Sequence, residues 1–341
     1  MNPQTDRIFN KRLHYFAVLT AVVAVGLIVA GATVTSTGSG DAVPDWPLSY
    51  GTLTPPMTGG ILYEHTHRIV AGLTGFLIAI LAIWLWIKEP RKWVRWLGTA
   101  TLLAVVAQAV LGGLRVLVVS TDAVQDAAAQ ITGAIEPARI AIAVTHAFLA
   151  QSILCLLFAM TLFTSRSWLS GKDEISHIRM NTKYRSLAIV MVGAVFLQLI
   201  LGALVRHTGA GLIIPDFPLS FGRIIPPFGD LPYNPNAPFP MTPGEIGFKV
   251  AVHFSHRVVA LVILGLVSSL FVVYRKAVPF DKLARVLLFL TIIQIILGAF
   301  NIWTAKSVYS TVPHVVIGAL ILGTGVMFVS WNWRFRRIAE V

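Results

Sequence analysis

Eight apolar stretches, each long enough to cross a bilayer as an α-helix, constrain this chain more than any other feature. They run over roughly Leu13–Thr35, Leu62–Ile87, Leu97–Val119, Ile140–Phe163, Leu187–Val205, Phe248–Tyr274, Leu283–Trp303 and Val312–Trp331. About 20 apolar residues suffice for a helix to span the hydrocarbon core, where every backbone N–H and C=O must be satisfied inside the structure. Only 12% of the 341 residues are charged and the mean hydropathy is +0.75, whereas a soluble domain carries about 25% charge. A disordered chain and an ordinary soluble enzyme are excluded. A lone cysteine, Cys155, excludes a disulfide-stapled secreted domain. The expected fold is an all-α integral membrane protein with eight transmembrane helices.

A net charge of +12 invites a nucleic-acid reading, but its distribution argues otherwise. Counting alternate connections and both termini (Arg7 to Arg12, Lys88 to Arg95, Arg166 to Arg185, Arg275 to Arg285, Arg334 to Arg337) collects 19 of the 27 Lys and Arg on one side. This is the positive-inside pattern, with both termini cytoplasmic and no nucleic-acid partner needed. Trp84, Trp86, Trp93, Trp96, Trp331 and Trp333 form an aromatic belt at the same boundary. The first stretch is read as a retained span, because it has a counterpart deep in the chain where no leader can be.

That counterpart belongs to an internal repeat. Thr37-Gly38 and Asp45-Trp46-Pro47-Leu48-Ser49-Tyr50-Gly51 return as Thr208-Gly209 and Asp216-Phe217-Pro218-Leu219-Ser220-Phe221-Gly222. His67-Arg68 pairs with His256-Arg257, Gln108 to Gly113 with Gln294 to Ala299, and His146 with His314. The expected organisation is two parallel four-helix-bundle repeats, residues 1–165 and 186–341, joined by an inner linker at 166–185. The loop between the fifth and sixth stretches holds nine of the 18 prolines and is expected to form an ordered cap rather than a regular element.

Histidines carry the chemistry. His67, His146, His256 and His314 occupy equivalent places near the starts of the even-numbered stretches. Two imidazoles from two helices at one depth suit bis-histidine ligation of a haem iron. A single such histidine would more often be an interfacial polar residue, but four at repeat-equivalent places are not independent accidents. Zinc fits less well, since structural zinc favours three or four ligands with cysteine among them. His65 cannot share the face of His67, His207 ends the fifth stretch, and His14 and His177 are expected in solvent.

The halves differ at one informative position. Glu64 precedes His67 by three residues, on the same helix face, and His253 stands at the matching place before His256. Glu64 is read either as a hydrogen-bond acceptor at a helix start or as a group placed for proton transfer or for stabilising positive charge. Arg68, Arg257, Arg115 and Arg206 are candidates to pair with haem propionates or to reach the membrane interface.

Taken together, Glu64-His65-Thr66-His67-Arg68, the Pro44-Asp45-Trp46-Pro47 loop, His146, His256-Arg257 and His314 resemble the haem A synthase family over essentially the whole chain. The resemblance implies oxidation of the ring-position-eight methyl of haem O to a formyl group, giving haem A for cytochrome oxidase. It implies a substrate haem held by His67 and His146, a resident haem b held by His256 and His314, and an essential glutamate at Glu64. It further implies a multi-pass protein of the bacterial plasma membrane with haem sites toward the outer face. Implied partners are membrane lipids, a haem O synthase, cytochrome oxidase assembly factors and, as an open option, further copies of the chain. Many members carry a cysteine pair in the first loop, where this chain has Val43 and Ser49. It therefore resembles a cysteine-free subclass in which no thiol relay is available. Two rival readings are a non-catalytic di-haem b cytochrome exchanging electrons with quinone, and a transporter. The first needs no Glu64, and the second lacks the proline-broken helices expected near the midplane.

Overall fold

The structure, a computed structural model, describes residues 9–120, 135–170, 182–232, 241–277 and 280–339. These residues form eight long helices: α1 (Lys11–Ser36), α2 (Gly59–Lys88), α3 (Lys92–Ser120), α4 (Ile135–Phe163), α5 (Thr182–His207), α6 (Pro243–Tyr274), α7 (Phe280–Trp303) and α8 (Val308–Ala339). All eight are long and apolar enough to span a membrane, and each contains one of the apolar stretches. Even α7, with 24 residues, is about 36 Å long at 1.5 Å per residue. The described residues contain no β-strand beyond two isolated bridges. The protein is an all-α multi-pass membrane protein.

Local chemistry sets the helix ends. Asn10 caps α1 by accepting a hydrogen bond from the Leu13 amide at 3.1 Å. At α6, Thr242 and Glu245 form a reciprocal capping box, with Pro243 opening the helix. Gly38 and Gly209 follow α1 and α5 with φ of 67° and 70°, a left-handed turn that costs glycine nothing. The even-numbered helices begin earlier than hydropathy indicates, because their first turns contain glycine, proline and polar residues. The four histidines expected at helix starts therefore lie about two to four turns inside. His314 in particular does not open its helix: α8 starts at Val308 and carries Pro313 within it.

Helix packing is consistent with the sequence repeat. In the first half, α1 packs on α2, α2 on α3, α3 on α4 and α4 back on α1, closing a ring of four. The second half closes the same ring through α5, α6, α7 and α8. The halves meet where α8 packs on α1 and α4, and α4 on α5. Each half is filled with apolar side chains towards the end where the termini lie: Leu13, Leu81, Leu85 and Leu157 in the first, Met191, Leu270, Phe280 and Phe328 in the second. Cys155 is one of these core residues, 7% exposed. The histidines occupy the other half of the bundle's depth, towards the end bearing the two Asp-x-Pro-Leu-Ser loops, called here the loop end.

Polar groups at the terminal end serve packing. Buried Glu89 receives Arg91 in a two-pronged ion pair, and Arg91 also donates to the Phe163 carbonyl, tying the α2–α3 turn to the end of α4. His14 is half-buried and 3.2 Å from the Thr164 hydroxyl, rather than in solvent as expected, because α1 begins beside the end of α4. Lys172, His177 and Arg179 of the linker lie outside the described residues, as does the cap segment 233–240.

Candidate functional site

The two loops at the site end share one geometry. Asp45 accepts the amides of Tyr50 and Gly51 at 2.7 and 2.8 Å, and Asp216 accepts those of Phe221 and Gly222 at the same two distances. Partial burial alone would raise the Asp45 pKa. The amides of Gly51 and Tyr50, with Arg68 nearby, outweigh it and hold the carboxyl below its ordinary value; Asp216 is lowered in the same way. Each loop is pinned by the arginine that follows a candidate ligand histidine. All five N–H donors of Arg68 are engaged: two from Nη1 to the Asp45 and Leu48 carbonyls, two from Nη2 to Val43 and Glu64, and Nε to Glu64. Arg257 donates to the Leu219 and Ile214 carbonyls and to His253. Of the four arginines offered from the sequence as propionate partners, Arg68 and Arg257 are thus placed as loop clamps.

Glu64 and His253 are mechanical equivalents. Each is buried, 5% exposed, and accepts from the arginine one turn later at 3.2–3.3 Å. Glu64 uses only Oε1 for this, and its Oε2 is buried without a hydrogen-bond partner among the described residues. A buried carboxylate oxygen left unpaired is costly, and it sits on the helix that carries His67.

The four histidines share a cradle. A Cβ placed on Gly31 of α1 would lie 3.1 Å from Cε1 of His67, and one on Gly202 of α5 would lie 3.1 Å from that of His256. Gly112 of α3 and Gly298 of α7 stand in the same relation to His146 and His314, at 3.4 and 3.3 Å. Each odd helix therefore supplies a glycine and each even helix an imidazole laid against it. The rings of His256 and His314 face each other across the second half with centroids 6.3 Å apart.

Glutamines complete three of the four cradles. Gln108, Gln198 and Gln294 each precede the cradle glycine by one turn, in the recurring pattern Gln-x-x-Leu-Gly. Gln108 and Gln198 donate to the His146 and His256 carbonyls at 3.0 Å, while Gln198 and Gln294 also reach the Nε2 of His256 and His314 at 3.3 and 3.4 Å. Nδ1 of His314 lies 3.2 Å from the Gln294 carbonyl, which can only accept, so a proton on Nδ1 fits it and turns the Nε2 lone pair towards the Gln294 side-chain amide. Buried Nδ1 atoms of His67, His146 and His256 have no hydrogen-bond partner among the described residues. Neutral imidazoles in paired helices, in clefts opened by glycine, with unspent donor capacity, fit a planar iron macrocycle held from two sides.

The repeat revealed the histidines but not what holds them. Gly31, Gly202 and Gln198 escaped attention because their partners lie on another helix. The fourth odd helix breaks the pattern with Leu27 where the others have glutamine. His65, dismissed as off the ligand face, is buried and 2.9 Å from the Ser49 hydroxyl, joining the first loop to α2. Val43, Ser49, Ile214 and Ser220 are all at most 1% exposed. The two loop cores are therefore closed by apolar contact and hydrogen bonds rather than by cysteine.

Comparison with known proteins gives the family of the chain. The family profile described as cytochrome oxidase assembly protein, COX15-CtaA, matches residues 14–326. The chain is 27% identical to a protein named heme A synthase from Halalkalibacterium halodurans, covering 92% of this chain and 95% of that one. It is 26% identical to the protein of that name from Staphylococcus haemolyticus, covering 98% and 100%. A third, from Alkalihalophilus pseudofirmus, is 28% identical over 75% of this chain and 74% of its own length. The match runs through every span that builds the two histidine pairs, and the chain belongs to the COX15-CtaA family of cytochrome oxidase assembly proteins.

Proposed function

We propose that this protein is a haem A synthase, an oxidoreductase that converts the ring-position-eight methyl of haem O to the formyl group of haem A. Supporting this most directly is Glu64 Oε2, buried and unpaired in the first half, where the second half has His253 instead. Within this reading His67 and His146 bind the iron of the substrate haem, and His256 and His314 bind a resident haem b. When bound, haem b supplies a one-electron redox centre, while haem O is the substrate. As a half-reaction, the methyl group with one water becomes a formyl group, four protons and four electrons. Glu64 stands three residues before His67 on α2 and is able to take protons. Arg68 fixes its Oε1 and leaves Oε2 for that task. The glycine cradles orient the imidazoles, and the clamped loops cover the site from water. No thiol takes part: the one cysteine is in the apolar core.

The orientation follows the charge asymmetry: termini in the cytoplasm, the loop end and its haem sites at the outer face. The proposed setting is the bacterial plasma membrane, beside a haem O synthase and the cytochrome oxidase assembly machinery.

The test is haem extraction and mass analysis of the protein purified from cells that make haem O. Haem b accompanied by haem O, its hydroxylated form or haem A is the expected result. Haem b alone, with no oxidised product when haem O is plentiful, would replace this reading with an electron-transfer cytochrome.

A further inference from the structure

Between the halves at the loop end lies a cavity of about 260 Å³ lined by Arg115, Arg139, Arg206 and His207, with Asp41 and Thr35. Three arginines face one carboxylate, so the walls carry an excess of two positive charges with His207 neutral. Arg139 pairs with Asp41 at 2.5 Å at the rim. Arg206 is anchored by the Ala32 carbonyl and the Ser36 hydroxyl of α1, at 2.8 and 2.6 Å. Arg115 has no hydrogen bond or ion pair among the described residues, although it is only partly exposed. Its Nη2 occupies the space beside Gly40, only 2.2 Å from where a Cβ would stand, so glycine there is what lets the guanidinium reach in. Two positive charges without a counter-ion among the described residues, in a cleft beside lipid, are expensive unless an anion meets them.

The register of the cavity fixes which anion. Thr35 lies one turn beyond Gly31, the cradle of His67, and Arg115 lies about one turn beyond Gly112, the cradle of His146. Arg206 lies one turn beyond Gly202, the cradle of His256. The cavity is therefore the next layer outward from both first-half imidazoles. A ligand on those imidazoles that projects two carboxylates to one side would place them here.

We propose that this cavity is the carboxylate subsite of the first half, where Arg115 and Arg139 receive the two propionates of the substrate haem while Arg206, contributed by the second half, completes its wall. The assignment rests on the reading of His67 and His146 as haem ligands. It moves propionate recognition away from Arg68, whose donors are already spent on the loop and Glu64. It also gives the fused repeat a reason, since the substrate half lacks a closed carboxylate site without α5.

The experiment titrates ferric haem b and its dimethyl ester into the purified full chain, reading dissociation constants from the Soret band. Wild type, Arg115→Gln, the Arg115→Gln/Arg139→Gln double variant and Arg223→Gln, an exposed loop control, are compared. Wild type is expected to prefer the free acid by at least about tenfold, the effect of one charge-assisted hydrogen bond. That preference falls towards unity in the double variant and is unchanged in the control. Ester affinity equal to wild type in the double variant shows that the fold and the ligand pair are intact. Equal affinity of wild type for acid and ester, or an undiminished preference in the double variant, overturns the subsite. The same titration on His67→Ala/His146→Ala separates the two levels. Loss of first-half binding there upholds the haem reading whatever the arginines do, and unchanged binding overturns that reading and the subsite with it.

Discussion

Arg68 and Arg257 each reach back one turn for an acceptor, and the chain supplies a carboxylate in one half and an imidazole in the other. Both acceptors satisfy the arginine, but only Glu64 brings a second oxygen that nothing else uses. Sequence spacing puts Glu64 three residues before His67 on one helix, and the structure pairs it with Arg68. Spacing could not reveal that Arg68 is spent on carbonyls 20–25 residues upstream, because those contacts depend on the loop fold. The loop itself hangs on Asp45. Asp45→Asn is expected to cost about 1–3 kcal/mol through its amide hydrogen bonds. Because the folded Asp45 pKa is depressed, the charge-dependent part of this stabilisation is complete above the unfolded value of about 4 and is lost as pH falls through the folded value. Thermal unfolding in detergent should therefore show a wild-type advantage at neutral pH that shrinks below about pH 4. An advantage that grew on acidification would contradict the assignment. Cys155 gives a second residue-scale expectation: Cys155→Ala and thiol alkylation should leave haem A formation at wild-type level, since the thiol is core packing. A loss of more than a few-fold would show that a thiol relay operates after all.

Among the elements, the helix pair is the working unit. An odd helix brings glycine, an even helix brings histidine, and the ring lies only 3.1–3.4 Å from where a methyl carbon would be. The helices themselves were legible as apolar runs, since a bilayer leaves a chain few alternatives. Their starts were not, because the first turns of α2, α4, α6 and α8 contain glycine, proline and polar residues that hydropathy scores as loop. Gly31→Ala and Gly202→Ala should displace His67 and His256 respectively. The expected reading is loss of the six-coordinate low-spin absorption signature of one haem each, with helix content kept. Gly26→Ala, on the same face of no ring, has open space for its methyl and should change nothing. Equal spectra for all three variants would sink the cradle. At the α6 start, Thr242→Ala removes one arm of the capping box and should lower stability by about 1 kcal/mol, measurable as a drop in Tm.

At the scale of the whole molecule, the sequence repeat is matched by two rings of four helices with the same order of packing. Both halves close the same ring of four helices, both place two imidazoles in glycine clefts, and both cover them with the same aspartate-pinned loop. Around the site they differ at Glu64 against His253, Leu27 against the glutamines, and Trp46 over Gly113 against Phe217 with Ala299 at the matching position. That last pair is compensating, since the Trp46 ring lies 2.8 Å from where a Cβ on Gly113 would stand. The first two leave the first half with a carboxylate oxygen, Glu64 Oε2, that has no hydrogen-bond partner among the described residues, and with one cradle that has no glutamine. The central claim is that only this half is reactive, and haem A yield from Glu64→Gln and His253→Gln, measured side by side in cells supplied with haem O, tests it most directly. The account predicts that Glu64→Gln retains bound haem but loses at least about a hundredfold in product, the scale of a general acid–base group, while His253→Gln keeps most of it. Normal product from Glu64→Gln, or an equal loss from both variants, would contradict it.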